Sequence, residues 1–480
     1  MKILIAASEA APFIKSGGLG DVIGSLPPAL AGKDCEVAVV IPLHEGIPQS
    51  YKEKMTFVAS IFVPVSWRNQ YCGIFRIEER GVTWYFLDNE YYFKRGDMLY
   101  GCYDDAERFA YFSRAVLEIL PAIEFSPDVI HCNDWQTALI PVYLRLSYFD
   151  NPFYQSIKTV FTIHNIEYQG VFGREIMENV LGISYLEFDN GFLEHQGAVN
   201  FMKTAILCAD WVTTVSPTYA EEIKTPEYAH SLDGILRFQE GKLSGIINGI
   251  DRKLYDPKTD KRLFYPYSKD DLSGKAKNKR ELQKMLNLPQ NDHAPMIGMV
   301  SRLVAHKGLD LVTSVLDEML GDDVQLVIVG TGEWKYEQFL RDKQWQYPHR
   351  LSVNIVFNAD LAQKVYGAAD MFLMPSKSEP CGLAQMIALS YGTIPIVRET
   401  GGLKDTVVPY NQYTGEGNGF TFAPYNASDM LHVVREACGV YQNKDAWTAL
   451  MLGGMKCDFS WKKSAKQYLA LYKSLIKTNK

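Results

Sequence analysis

Lys15-Ser-Gly-Gly-Leu-Gly-Asp21 is the most informative segment of this 480-residue chain. It follows an apolar run, Ile3–Ala7, that predicts a buried strand. It precedes Val22–Leu26, which predicts the start of a helix. Glycines let a ligand approach the backbone closely, and the N–H groups at a helix N-terminus attract anions. The segment therefore predicts an anion site in a strand–loop–helix unit, with the Lys15 charge beside it; the alternative is an ordinary tight turn.

The spacing of this loop differs from that of a dinucleotide-binding fingerprint, whose first glycine directly follows the strand. Here Ser8–Lys15 separates the strand from the glycines, so the loop is long enough to carry binding groups of its own. No well-placed GxGxxG is followed by an acidic residue about twenty positions later. A nicotinamide-dependent oxidoreductase is the alternative from a different class, and this spacing disfavours it.

Apolar strand candidates alternate with helical patterns along the chain, which predicts α/β units built on parallel sheets. The candidates are Lys2–Ala7, Val37–Ile41, Trp84–Leu87, Val129–Cys132, Thr159–Ile163, Trp211–Val215, Ser244–Ile247, Met296–Val300, Gln325–Val329, Val353–Phe357, Met371–Met374 and Ile394–Val397.

Asp251–Pro295 separates the two sets of candidates and has little periodic apolar pattern, which predicts an interdomain linker. We expect two doubly wound, Rossmann-like domains, residues 1–250 and 251–460, facing a central cleft. In open α/β sheets ligands bind beyond the carboxyl ends of the strands. Trp461–Ile476 has apolar residues at helical spacing, so residues 461–480 predict a terminal helix.

The composition argues against several classes of function. With 49 basic and 56 acidic residues the net charge is −7, which disfavours a general nucleic-acid binder. The eight cysteines form no CxxC and the histidines no HExxH, so we expect no metal site, and a reducing cytoplasm. No apolar run approaches the ~20 residues of a membrane span, and we expect no secretory signal.

Polar residues follow nearly every strand candidate. The groups are Asn133–Gln136, His164–Tyr168, Asn248–Asp251, Ser301–Leu303, His306–Gly308, Gly330–Gly332, Pro375–Leu383 and Arg398–Leu403. Each has a simpler explanation: His164 suits a core histidine, Asp134 a helix cap, and Arg302 a solvated face. The recurrence at strand ends in both halves nevertheless indicates a catalytic cleft. A guanidinium and an ammonium group after one strand suit a diphosphate, because a planar fork and a point charge complement each other there.

Several of these segments together resemble bacterial glycogen synthase and plant starch synthase. They are Lys15–Leu19, His131–Trp135, Thr162–Asn165, Asn248–Asp251, Ser301–Leu303 with His306–Gly308, Pro375–Leu383 and Thr400–Leu403, in family order within residues 1 to 465. The resemblance implies a GT-B fold and a retaining glucosyltransferase. Glucose would pass from ADP-glucose to the non-reducing 4-OH end of an α-1,4-glucan, without a cofactor. The first domain would then hold the acceptor, the second the donor, and the terminal helix would return to the first.

The resemblance also implies roles for individual residues. The catalytic set would be Asp134, His164, Arg302, Lys307 and Glu379. Donor binding would use Lys15, Gly17, Gly18, Asp21, Asn248, Phe357, Cys381, Gly382, Leu383, Thr400, Gly401 and Gly402. Acceptor binding would use Glu9, Asn165 and the loop of Tyr91, Tyr92 and Phe93. Phe357 stands where the family often has a tyrosine stacked on the base, so the ring is kept and the hydroxyl is lost.

Ile387 occupies the position where related retaining families place a second glutamate, eight residues beyond Glu379. A double displacement needs a carboxylate opposite the leaving group, and Asp134 and Glu379 are candidates by type. The resemblance implies instead a front-face displacement, in which the leaving phosphate takes the acceptor proton. A UDP-glucose donor, a sucrose-type synthase, a phosphorylase and a non-catalytic glucan-binding relative are the alternatives within this fold. The oligomeric state stays open.

Overall fold

The structure, a computed structural model, describes residues 1–477. The chain divides into two compact units. The first comprises Met1–Gly249 and the C-terminal segment that begins at Trp461, and the second comprises Ile250–Ser460. Residues 478–480 of the expected terminal helix lie outside the described residues.

The strands within residues 1–477 are β1 (Lys2–Ala6), β2 (Glu36–Pro42), β3 (Thr56–Val65), β4 (Arg68–Glu79), β5 (Val82–Asp88), β6 (Val129–Asn133), β7 (Lys158–Ile163), β8 (Val171–Phe172), β9 (Glu194–His195), β10 (Ala198–Asn200), β11 (Trp211–Thr214), β12 (Leu243–Gly245), β13 (Met296–Val300), β14 (Gln325–Val329), β15 (Leu351–Asn354), β16 (Met371–Met374), β17 (Ile394–Arg398) and β18 (Phe420–Phe422).

The α-helices of the same residues are α1 (Gly18–Leu30), α2 (Gln49–Lys52), α3 (Glu90–Phe93), α4 (Asp105–Ala122), α5 (Leu139–Leu146), α6 (Leu186–Asp189), α7 (Phe201–Cys208), α8 (Pro217–Glu222), α9 (Asp233–Phe238), α10 (Ser273–Met285), α11 (Leu309–Ser314), α12 (Leu316–Gly321), α13 (Trp334–Gln346), α14 (Ala359–Ala368), α15 (Ala384–Ser390), α16 (Gly401–Thr406), α17 (Ala427–Gln442), α18 (Lys444–Lys456) and α19 (Trp461–Lys477). Short 3-10 turns span Trp135–Thr137, Glu240–Lys242 and Ala305–Lys307, and a π-helical turn spans Met177–Leu181.

The first unit is built on a sheet whose described strands follow the order β12-β11-β7-β6-β1-β2-β5-β4-β3. Strands β12 through β5 of this order pair in parallel, and β3 and β4 add an antiparallel hairpin at one edge. In β1, Ile3 and Ile5 pack into an apolar cluster on one face of the sheet, and Leu4 is equally buried on the other face. Burial of both faces explains why the strand reads as an unbroken apolar run.

The terminal helix α19 packs on this first unit, as the resemblance implied. Trp461, Tyr468 and Tyr472 belong to the same apolar cluster as β1 and α1. The Tyr472 hydroxyl lies 2.7 Å from Nδ1 of His131, in the middle of β6. The last described helix therefore buries its aromatic face against the start of the chain.

The second unit is a wholly parallel sheet of described strands in the order β15-β14-β13-β16-β17-β18. A large apolar cluster covers one face and includes Ile297 and Met299. A smaller cluster on the other face includes Met296 and Leu282. The predicted parallel α/β organisation is thus confirmed in each unit.

Three local predictions differ from the structure. Helix α1 begins at Gly18, inside the glycine segment rather than at Val22. The expected linker contains α10, whose buried face carries Lys275 and Lys279 as well as Leu282 and therefore lacks an apolar period. The strand predicted over Val353–Phe357 covers Leu351–Asn354 instead, because the Val356 N–H turns back to the Asn354 carbonyl at 2.9 Å.

The prediction also missed the β3–β4 hairpin, the small sheet β8-β10-β9 and the edge strand β18. Several apolar side chains of β3 point to solvent, including Phe57 and Phe62, so that strand has no clean alternation of burial. Strands β8, β9, β10 and β18 are two or three residues long, below the length at which a pattern is readable. No helix within residues 1–477 is long and apolar enough to span a membrane.

The contact between α19 and β6 leads to a stability prediction. Tyr472→Phe removes the hydroxyl and leaves the buried Nδ1 of His131 without its partner. We expect this change to lower the free energy of unfolding by about 1–2 kcal/mol, the cost of an unsatisfied buried polar group. Urea unfolding measures it. The control is Tyr51→Phe, whose ring packs edge-on against Phe13; equal losses in both variants would contradict the importance of the hydroxyl.

Candidate active site

The loop between β1 and α1 is held by a buried carboxylate. Glu9 is 1% exposed, and its oxygens accept hydrogen bonds from the N–H and hydroxyl of Ser16, at 2.8 and 2.6 Å, and from the Gly20 N–H at 2.9 Å. Glu9, predicted to bind the acceptor, thus has both carboxylate oxygens hydrogen-bonded within its own loop. These hydrogen bonds fix the backbone of the glycine segment at Ser16 and Gly20.

Lys15 and Asp21 lie in the same loop and pair with each other, with Nζ 2.8 Å from Oδ1. Both side chains are partly exposed, which keeps the ammonium group accessible to an anion. A Cβ built on Gly17 or Gly18 would meet no atom of residues 1–477 within 4 Å. Packing therefore does not demand these two glycines, whereas close approach of a ligand to the backbone would.

Asp134 follows β6 in a strained conformation, with φ 56° and ψ 179°. Such a backbone is nearly restricted to glycine, and non-glycine residues that adopt it cluster at functional sites. The Asp134 N–H donates to the Thr162 carbonyl at 3.0 Å, and Oδ1 accepts from the His164 N–H at 2.7 Å. Burial raises the pKa of this carboxyl to about 7, although hydrogen bonds from the backbone of His164 and Asn165 oppose the rise.

His164 follows β7, and the structure brings it beside Asp134. Its Nε2 lies 2.9 Å from Oδ1 of Asn133, and burial lowers the pKa of the imidazole to about 3. The ring is therefore neutral at physiological pH. Asn165 is partly exposed, and its Oδ1 accepts from the Glu167 N–H at 3.0 Å.

Two of the predicted acceptor residues lie in the interior. Tyr92 and Phe93 are 0% and 1% exposed, and the Tyr92 hydroxyl donates to Glu107 at 2.6 Å. Their neighbour Tyr91 is 61% exposed and is the ring that this segment presents to solvent. Successive side chains of the one-turn helix α3 point in different directions, so Tyr92 and Phe93 are buried while Tyr91 is exposed.

Asn248 follows β12 and is 5% exposed. Its buried Oδ1 accepts no hydrogen bond within residues 1–477. A buried acceptor without a partner is uncommon in native proteins. The Asn248 amide is thus a polar group of the first unit that a ligand hydroxyl or N–H can satisfy.

In the second unit an ion pair joins two of the predicted catalytic residues. Lys307 Nζ lies 2.7 Å from Oε2 of Glu379, which also accepts from the Ser376 hydroxyl at 2.9 Å. Glu379 is 8% exposed. Gly308 closes the turn after Lys307 with φ 80°, and a Cβ there would lie 2.2 Å from the Pro375 carbonyl oxygen. That close contact docks the turn after Lys307 onto the segment that follows β16.

Arg302 extends from the end of β13 into solvent. Its Nη2 lies 3.4 Å from Nε2 of His306, on the same turn as Lys307. The structure therefore places both predicted cations of this unit on one connection, between β13 and α11. Phe357 is 92% exposed, so its ring faces are open to stacking.

The segment after Glu379 rests on the start of α16. The Gly402 N–H, predicted to bind the donor, donates to the carbonyls of Glu379 and Pro380, at 3.1 and 3.2 Å. A Cβ at Gly401 would lie 2.0 Å from the Glu379 carbonyl oxygen. Both glycines are required by this close packing, and Thr400 is fully buried beside them.

The turn Cys381–Leu383 is held by Gln385. The side-chain Nε2 of Gln385 donates to the carbonyls of Cys381 and Gly382, at 3.1 and 2.9 Å. Gly382 has φ 71°, a conformation that favours glycine. Cys381 is buried, at 6% exposure.

Sequence reasoning assigned no role to Asn133, Ser376 or Gln385, although each binds a predicted site residue or its backbone. Asn133 directly precedes Asp134, and Ser376 lies within the same motif as Glu379. Which of two adjacent polar side chains points inward depends on the local backbone, so the motif alone gave no signal that separated them.

One group of the described residues has metal-ligating side chains close together: Cys102, Asp104 and Asp105. Arg95 pairs with Asp104 at 2.6 Å and Arg108 pairs with Asp105 at 2.5 Å. The arginines already compensate the two carboxylates, so this cluster is better explained as a pair of salt bridges.

The raised pKa of Asp134 gives a prediction for stability against pH. In the unfolded chain this carboxyl has an ordinary pKa near 3.9, whereas in the folded protein it binds a proton more tightly. The tighter proton binding stabilises the fold at acid pH, and this contribution is lost as the pH rises through about 7. Asp134→Asn removes this dependence. We expect the free energy of unfolding of the variant to exceed that of the wild type by on the order of 2 kcal/mol at pH 8. At pH 5 the two free energies of unfolding should lie closer together.

Urea unfolding at the two pH values measures this difference. The exposed Asp150 supplies the control, because Asp150→Asn should shift stability equally at both. A difference between Asp134→Asn and the wild type that is independent of pH would contradict the assignment of a buried, proton-binding carboxyl.

Comparisons with known proteins agree with this arrangement. Residues 2–238 match the family described as starch synthase catalytic domain, and residues 281–439 match glycosyl transferases group 1. The chain is 52% identical to a glycogen synthase of Desulforamulus reducens, over 99% of both chains. It is 54% identical to a glycogen synthase of Clostridium acetobutylicum, over 99% of this chain and 100% of the other.

Solved structures agree as well. The catalytic domain of starch synthase IV from Arabidopsis thaliana, bound to ADP and acarbose, matches with a TM-score of 0.90 at 32% identity over 99% of both chains. A sucrose-phosphate synthase from Thermosynechococcus elongatus shares the fold alone, with a TM-score of 0.62 at 17% identity over 99% of both chains. The expected GT-B fold is thereby confirmed, and the chain belongs to the glycogen synthase and starch synthase family of glycosyltransferases.

Proposed function

We propose that this glycosyltransferase transfers glucose from ADP-glucose to the non-reducing 4-OH end of an α-1,4-glucan, with retention of configuration. The observation that carries the proposal is the connection after β13, where Arg302 and Lys307 stand together and Lys307 holds the buried carboxylate of Glu379. The ADP named for the Arabidopsis relative supports an adenine nucleotide over a uridine one. Membership of a glycosyltransferase family removes the oxidoreductase alternative.

The positive charge for the departing diphosphate would come from Lys15, Arg302 and Lys307. A guanidinium binds phosphate oxygens in a planar fork, and an ammonium acts as a movable point charge. In the structure both lysines are paired with carboxylates, Lys15 with Asp21 and Lys307 with Glu379. These pairs would keep the ammonium groups in place until a phosphate competes for them, and the enzyme's main contribution would be charge stabilisation and positioning.

In the first unit the candidate glucose ligands are Asp134 and His164. In the second unit they are Glu379 and the Cys381–Leu383 turn. Ile387, where some retaining enzymes have a second glutamate, is 6% exposed and apolar. This leaves no carboxylate at that position for a double displacement. We therefore favour front-face displacement, in which the leaving phosphate accepts the proton of the attacking hydroxyl.

The base and the acceptor chain would meet exposed side chains. Phe357, at 92% exposure, would stack on adenine. For the glucan we propose Asn165 together with Tyr91 in place of its buried neighbours Tyr92 and Phe93. A cytoplasmic location fits the scattered, CxxC-free cysteines.

The donor is tested by a panel of nucleotide sugars with glycogen as acceptor, following release of the nucleoside diphosphate. We expect turnover with ADP-glucose to exceed that with UDP-glucose by at least about tenfold, a difference of roughly 1.4 kcal/mol in transition-state binding. Chain elongation is confirmed by incorporation of labelled glucose into polymer. Preference for UDP-glucose would overturn the donor assignment, and hydrolysis without elongation would overturn the transfer reaction.

The role of the two cations is tested by Arg302→Ala and Lys307→Ala. Each removes a charge proposed to act on the departing diphosphate, so we expect kcat/KM for the donor to fall about a hundredfold or more, on the order of 3 kcal/mol. The control is Lys284→Ala, an exposed lysine of α10. Variants with near-normal kcat and only a lowered melting temperature would show that these cations serve the fold instead.

A further inference from the structure

Asn133, the last residue of β6, has an amide group whose orientation is set by its partners. The side chain is 0% exposed. Its Nδ2 donates to the carbonyls of Ala6 and His131, at 3.1 and 3.2 Å. Carbonyl oxygens only accept hydrogen bonds, so the amide nitrogen must face them and Oδ1 must face the opposite way.

On that opposite side, Oδ1 of Asn133 lies 2.9 Å from Nε2 of His164. An amide oxygen has no hydrogen to donate, so this bond requires the hydrogen to be on Nε2. Because burial lowers the pKa of His164 to about 3, the ring is neutral and carries a single N–H. The other nitrogen, Nδ1, is then left with an unshared electron pair.

The Nδ1 atom of His164 takes part in no hydrogen bond with residues 1–477, and the residue as a whole is partly exposed. Its neighbours include the strained Asp134, whose Oδ1 holds the His164 N–H at 2.7 Å. The backbone and one ring nitrogen of His164 are thus both committed within the protein, while the acceptor nitrogen is left for something else.

We propose that Asn133 is a positioning residue that holds His164 in the Nε2–H tautomer, so that Nδ1 accepts a hydrogen bond from a hydroxyl of the donor sugar. This inference rests on the proposed function for the identity of the ligand, but not for the tautomer. The opposite tautomer would set two acceptors, Oδ1 and Nε2, against each other in the interior, and would aim an N–H at the hydroxyl. Fixing one tautomer through a second residue is how enzymes commonly orient a histidine.

The tautomer is measured directly by two-bond hydrogen–nitrogen correlation spectra of the protein labelled with nitrogen-15 histidine. The His164 signal is identified as the one missing from His164→Gln. We expect the wild type to show a protonated Nε2 and a bare Nδ1. His131 is an internal reference, because its nitrogens contact the hydroxyls of Tyr472 and Thr162 rather than Asn133.

Two variants isolate the acceptor oxygen. Asn133→Ala and Asn133→Asp both lose the donors to Ala6 and His131, but the aspartate keeps an oxygen for Nε2. We expect the alanine variant to show mixed His164 tautomers and a kcat/KM for ADP-glucose lower by about ten- to a hundredfold, with the KM for glucan unchanged. The aspartate variant should retain the Nε2–H tautomer and recover part of the activity.

A wild-type spectrum with the proton on Nδ1, or an alanine variant that keeps a pure Nε2–H tautomer, would overturn the proposal. Equal loss of activity in the two variants, with His164 unchanged, would show a purely structural role. If the alanine variant does not fold, the wild-type and aspartate spectra still decide the tautomer. Failure of the donor panel with the expected tautomer present would refute the proposed function alone.

Discussion

Burial of the parallel strands on both faces is the constraint from which the rest of this structure follows. Ile3 and Ile5 on one face of β1, and Leu4 on the other, are all 0% exposed. No charged side chain can occupy the middle of such a strand without a partner, because burying an unpaired charge costs several kcal/mol. Charged side chains therefore lie in the loops at the strand ends, among them Asp134, Arg302 and Glu379. A polar residue inside a strand, such as His131, is accepted because both ring nitrogens have hydrogen-bond partners.

Those loops have no apolar core of their own, and hydrogen bonds to buried or partly buried carboxylates hold them in place. Glu9 accepts three hydrogen bonds from Ser16 and Gly20, Asp134 accepts the His164 N–H, and Glu379 accepts from Lys307 and Ser376. An ionised carboxylate is an acceptor with about four lone-pair sites, so one side chain can organise a whole turn. The same residues that mark the motif thus also build its shape.

The neutral state of His164 and the half-neutral state of Asp134 follow from the same burial. Desolvation penalises the charged form, which lowers the pKa of the imidazole and raises that of the carboxyl. A neutral imidazole and a nearby carboxyl suit recognition of an uncharged sugar by directional hydrogen bonds. The cations that suit a diphosphate are instead on exposed or partly exposed side chains, where water still solvates their charge and the desolvation penalty is smaller.

The order of residues along the chain was sufficient to predict the parallel α/β units, most strand positions and the family, because apolar runs and glycine-rich motifs are local patterns. Met296–Val300 and Gln325–Val329 were predicted to the residue. Only the tertiary structure decided that Glu9, Tyr92 and Phe93 face inward. It also decided that the Gly402 N–H donates to the Glu379 carbonyl and that Asn133 binds His164. Each of these depends on partners far apart in sequence or on a single rotation of the backbone, and a motif specifies residue types but not the direction in which their side chains point.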